Sequence, residues 1–184
     1  MENKLAERLI ADTLALGAHK AHIITTDAIE TDRSFRDMCA VNACGVYGKC
    51  WMCPPHIGQI GDLMDRVRAY PKALWYQSIA SIEDSYDIEG MFAAGEAHAW
   101  LSQRIQAAVS PLLSGPFLHL GTGGCHLCPV CAKATEEPCR MPDKALSSLE
   151  GYGVDVYNTT KDTALQYING QNTVTYFGMV LFSE

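Results

Sequence analysis

The chain carries eight cysteines, and all of them fall into two groups of four. The first group is Cys39-x4-Cys44-x5-Cys50-x2-Cys53, followed by Pro54-Pro55. The second is Cys125-x2-Cys128-x2-Cys131-x7-Cys139, followed by Arg140-Met141-Pro142. The stretch between residues 53 and 125 contains none. Thiols used merely as small apolar core residues would not partition this way. Disulfides are the other structural use, and they belong to oxidising compartments. The N-terminus from Met1 to Glu7 lacks the basic-then-apolar pattern of a secretion signal. No apolar run approaches the ~20 residues that cross a bilayer. A cytoplasmic protein with reduced thiols is therefore the expectation, and metal ligation is the use left for them.

Spacing narrows the metal. A C-x2-C-x2-C run wraps a loop around a cluster so that successive sulfurs meet different irons. A more distant cysteine then closes the site, as in ferredoxin-type clusters. Cys125, Cys128 and Cys131 supply such a run, with Cys139 beyond it. Zinc sites favour paired C-x2-C knuckles, and the looser first group is also compatible with zinc. The expected cofactors are two [4Fe-4S] clusters, held by Cys39, Cys44, Cys50 and Cys53 and by Cys125, Cys128, Cys131 and Cys139. Zinc is the alternative metal. Two closures stay open at this point. Each group closes on itself, or Cys53 serves the second run while Cys139 crosses back, an exchange known from two-cluster ferredoxins.

The surroundings suit such sites. Gly45, Gly48, Gly123 and Gly124 allow backbone N–H groups to approach sulfur. Two fully thiolate-ligated clusters carry about −4 when oxidised. Arg36, Lys49, Lys133, Arg140 and Lys144 lie near in sequence and can offset that charge, although each on its own is an ordinary solvated cation. The chain as a whole is acidic, at −7. That argues against nucleic acid or an anionic membrane surface as a partner, since both need a basic face.

Hydrophobic residues make up 48% of the 184, enough for a full core in one domain spanning 1–184. Periodicity predicts helices over 2–17, 59–70, 88–113, 143–150 and 161–168. In the long helix over 88–113, Ala94, Ala97, Leu101, Ile105, Ala108 and Leu112 form the expected buried stripe. Strands are predicted at 21–26, 73–79, 117–120, 154–157 and 173–182. Gly and Pro mark residues 33–58 as loop. The alternation points to an α/β or α+β sandwich, one mixed sheet flanked by helices. Two cysteine-rich metal-binding loops, 37–58 and 121–142, interrupt that scaffold.

With these motifs in view, the chain resembles a family of predicted metal-binding proteins, domain of unknown function 2284. The stretches that carry the likeness are Cys44-Gly-Val-Tyr-Gly-Lys-Cys-Trp-Met-Cys-Pro-Pro55, Gly123-Gly-Cys-His-Leu-Cys-Pro-Val-Cys131, Pro138-Cys-Arg-Met-Pro142 and Ser147 to Val156. The resemblance covers most of the chain. It implies metal binding and names no reaction.

Other residues fit bland roles. His56 and His126 flank the motifs and are expected to hydrogen-bond to backbone. His19, His22, His98 and His119 show no ligand spacing. Trp51, Trp75 and Trp100 are expected as core or cluster-shielding aromatics, with a stacking site for an aromatic ligand as the alternative. Gly121-x-Gly-Gly lacks the spacing of a phosphate loop. The expected function is electron transfer to or from an oxidoreductase partner. The first alternative is an iron–sulfur enzyme whose open cluster iron binds substrate, and the second is a zinc-stabilised binding module.

Overall fold

The computed structural model describes residues 2–183, with side chains from Lys4 onward. The ends of the expected 1–184 unit, Met1 and Glu184, lie outside the described residues. Five strands form one open mixed sheet: β1 (Lys20–Thr25), β2 (Lys72–Ser81), β3 (Phe117–Gly121), β4 (Ser147–Ser148) and β5 (Thr173–Phe182). Their order is β1-β2-β5-β3-β4. All neighbours run antiparallel except β3 and β4, which are parallel. The helices are α1 (Glu2–Ala15), α2 (Ser34–Val41), α3 (Ile60–Arg68), α4 (Ile88–Val109) and α5 (Val156–Lys161). The fold is α/β, as expected.

The central strands are apolar on both sides because both sides are covered. Successive side chains of a strand point to opposite faces. Ala73 and Trp75 of β2 join Phe177, Met179 and Leu181 of β5 in one core, under Leu63 and Val67 of α3. Leu74 and Tyr76 join Val180 and Phe182 in the other, under Leu9 of α1 and Leu101, Ile105 and Val109 of α4. Helices on both faces leave no face of β2 or β5 to water, so neither strand shows polar alternation.

The second core contains a polar seam. The register sets Tyr76 opposite Gly178, where an added Cβ would stand 2.1 Å from the tyrosine oxygen. Only glycine lets that ring lie across the neighbouring strand. Tyr76 Oη then reaches 2.8 Å from Ser102 Oγ and 2.7 Å from His119 Nε2. The buried face of α4 is accordingly His98, Leu101, Ser102, Ile105 and Val109. Of the expected stripe, Leu101 and Ile105 are buried, Ala94, Ala108 and Leu112 are partly buried, and Ala97 is exposed. His98 and Ser102 are buried because Ser78 and Tyr76 supply hydrogen-bond partners.

Four further local expectations are corrected. Residues 33–58 are not loop throughout, since α2 occupies Ser34–Val41. The Asp32 carboxylate accepts from the Ser34 N–H at 2.8 Å, and Asn42 ends the helix in the left-handed region. No helix spans 143–150. Ser147 and Ser148 pair with Leu120 and Gly121, and Leu149 donates to the Gly121 carbonyl, so the sheet edge captures the segment. The strand expected at 154–157 is reduced to a Thr31–Val154 bridge. Asp155 caps α5 by accepting from the Asn158 N–H at 2.9 Å, which starts a helix at Val156. That helix ends at Lys161 instead of covering 161–168. Beyond it, Leu165 is buried in the core and the Gln77 side chain accepts from the Gln166 N–H.

Candidate metal centre

Both cysteine loops are held at one edge of the scaffold by ordinary chain geometry. The first, 42–59, runs from the end of α2 to the start of α3. Cys39 lies in the last turn of α2, and Cys44, Cys50 and Cys53 follow on tight turns. The second, 122–146, connects parallel neighbours β3 and β4.

Specific contacts tie the loops together. Trp51 Nε1 donates to the Glu137 carbonyl at 2.7 Å, joining the first loop to the second. The Lys133 ammonium sits 4.9 Å above the Trp51 ring. Ser147 Oγ donates to Met52 Sδ at 3.9 Å. A Cβ added at Gly124 would lie 3.4 Å from Val46 and 3.6 Å from Cys53 Sγ, ordinary van der Waals contact, so the second loop packs directly against the first here. Arg36 donates to the carbonyls of Gly58 and Gly151, which latches α2 to both flanking segments. Its charge also favours the Cys39 thiolate, while burial pushes that thiol up.

All eight cysteines are free thiols. Cys50 is the unexpected one. It lines a narrow cleft together with Cys125, Cys128, Cys131 and Cys139. Five thiols therefore face one space between the loops. Cys53 is buried beside Cys50, and the nearby Cys44 and Cys39 thiols act on it electrostatically. Cys50 thus faces the second group at this cleft, and Cys53 lies against Gly124 of the second loop. Cys139 stays with its own group.

The Cys50 thiolate is favoured by hydrogen bonding with the Cys53 thiol first, then by the Met52 and Cys125 backbones and the Cys131 thiol, against burial. These hold Cys50 well below the usual thiol range. The same hydrogen bond, with burial, pushes Cys53 up. Cys125 is raised by burial, against hydrogen bonds from the Leu127 and Leu146 backbones. Among the described residues, no three His, Cys, Asp or Glu side chains are grouped so as to hold a single metal ion.

A family model for predicted metal-binding proteins, DUF2284, matches residues 22–182. The chain belongs to this family. Among curated proteins and among solved structures, nothing matches it. The DUF2284 match includes both cysteine loops and all five strands except the first two residues of β1.

The histidine candidates fall outside the thiol cleft. His56 Nε2 lies 3.2 Å from the Gly48 carbonyl, the backbone role expected of it. His19, His22 and His126 are exposed, and His98 and His119 are buried in the polar seam. Two contributors were not legible as such: Trp51 as the strap between loops, and Glu150, half-buried near Cys39 with its carboxyl pushed up by burial. Only the position of Trp51 between Cys50 and Cys53 marks it in the sequence. No helix of the described residues is long and apolar enough to cross a membrane.

Proposed function

We propose that this metal-binding protein is an iron–sulfur protein with two [4Fe-4S] clusters that passes electrons to or from an oxidoreductase partner. The observation that carries the reading is the convergence of the two cysteine groups, with five thiols around one cleft. This donor set fits iron–sulfur ligation, in which thiolates hold the cluster and N–H···S bonds tune its potential. Cys125, Cys128, Cys131 and Cys139 would hold one cluster, and Cys39, Cys44, Cys50 and Cys53 the other. When bound, such clusters supply one-electron chemistry. The chain's own part is to bury Cys50 and Cys53, fix the loops through Trp51 and Arg36, and keep the two sites adjacent.

A partner is supported by apolar side chains left in water beside the cysteines. Met38 and Val41 on α2 are 63% and 78% exposed, and Val130 in the second loop is 64% exposed. Exposed apolar groups around a redox site suit docking of another protein.

A second reading is favoured by Cys50 itself. If Cys50 serves the second site, only Cys39, Cys44 and Cys53 remain for the first, leaving an iron open to substrate as a Lewis acid. Anaerobic purification tests the main reading. A brown protein whose absorbance near 400 nm bleaches with dithionite supports it, whereas a colourless protein holding zinc contradicts it. Iron retained in full by a Cys50→Ser variant, with an altered electron paramagnetic resonance signal, moves the assignment to the second reading.

A further inference from the structure

A cavity of about 320 Å3 opens at the margin of the core beneath α3, between α3, β3 and the two cysteine loops. Its size is that of a small-molecule site. A void of about 150 Å3 already admits benzene. Leu118 and Leu120 of β3 form its apolar wall with Ile57, and both leucines belong to that core. Close-packed cores leave few voids larger than a water molecule, so a gap of this size beside β3 is not ordinary packing.

The other end of the cavity is cationic. Arg66, in the last turn of α3, lines it. Its guanidinium forms no ion pair with any described residue. Its one hydrogen-bond partner among the described residues is Tyr152, where Nη1 donates to Oη at 3.3 Å. The remaining N–H groups of the guanidinium are left for another acceptor. Tyr152 also lines the cavity and is only 5% exposed. Burial raises its phenol, the larger effect, against the charge of Arg66, so it keeps its proton. Among the described residues nothing accepts that proton. A buried O–H and an unpaired guanidinium, 3.3 Å apart at one end of a partly apolar cavity, suit an anionic acceptor. A carboxylate accepts from both, one oxygen to each.

We propose that this cavity binds a small apolar monocarboxylic acid, with its carboxylate on Arg66 and Tyr152 and its hydrocarbon body against Ile57, Leu118 and Leu120. Met52, between Cys50 and Cys53, lines both this cavity and the thiol cleft, so the ligand lies beside the candidate metal centre. The inference goes beyond the iron–sulfur reading and does not depend on it.

Equilibrium dialysis of the anaerobically purified full chain against phenylacetate and against hexanoate tests it. Phenylacetamide keeps the shape without the charge, and inorganic phosphate keeps the charge without the hydrocarbon. Saturable binding of at least one carboxylate is expected, tighter than that of phenylacetamide or phosphate. Arg66→Gln, at an exposed position, should weaken it tenfold or more, the scale of a hydrogen bond to a charged group. Tyr152→Phe keeps the ring and should weaken it several-fold. Absence of binding by both carboxylates, equal affinity for phenylacetamide or phosphate, or unchanged affinity in Arg66→Gln overturns the proposal. Because dialysis does not read iron, a protein without clusters that still binds the acid separates this inference from the preceding one.

Discussion

Tyr76 and Gly178 show how much one residue pair decides. The glycine is what allows a buried phenol to reach Ser102 and His119, and Gly178→Ala would drive a methyl group into that ring. The expected cost is about 1–3 kcal/mol, typical of overpacking, read as a lower urea midpoint at unchanged slope. Burial also pulls His98 down to about 4 and His119 to about 3. Both values lie below the ordinary 6.5, so the unfolded chain binds protons that the fold refuses. Their contribution to stability is complete above pH 6.5 and declines as the pH falls toward 4. Urea midpoints between pH 7 and 4.5 should fall less steeply for His119→Gln than for the parent. Equal slopes would show that His119 titrates normally in the fold. At this scale the sequence was partly readable. The run Cys125, Cys128, Cys131 marked one cysteine loop by spacing alone, and the structure sets these three thiols around one cleft. That Cys50 faces that loop was hidden, because the contact depends on Trp51 reaching Glu137 across 86 residues.

Elements were readable wherever the pattern and the packing agreed. The final strand matches its prediction, Thr173 to Phe182, since a β-branched and aromatic run has no other use here. Residues 143–150 look helical by composition, yet the parallel edge of β3 takes Ser147 and Ser148 into the sheet. Helix α2 was obscured by the glycine- and proline-rich residues that follow it. It buries no side chain fully, so Arg36 and the loops hold it in place. Two outcomes follow. Trp51→Phe removes the bond to Glu137 and should speed metal loss to a chelator several-fold, while the thermal transition of the metal-free protein moves little. Metal removal should raise amide exchange in 42–58 and 122–146 and leave β2 and β5 protected. Uniform exchange throughout would mean that the loops and the sheet unfold as one.

The whole molecule divides its labour. A sheet covered on both faces supplies the core, and two loops with the last turn of α2 carry every cysteine. The α/β class was legible from the alternation of periods. The meeting of the loops was not, because strand order β1-β2-β5-β3-β4 is invisible in a linear pattern. Membership of DUF2284 establishes a predicted metal-binding protein, and the identity of the metal is what the proposed function adds. Iron and acid-labile sulfide, quantified per chain after anaerobic purification, test that addition most directly. The account predicts roughly eight of each, the content of two [4Fe-4S] clusters. About two zinc ions per chain with no sulfide would contradict it.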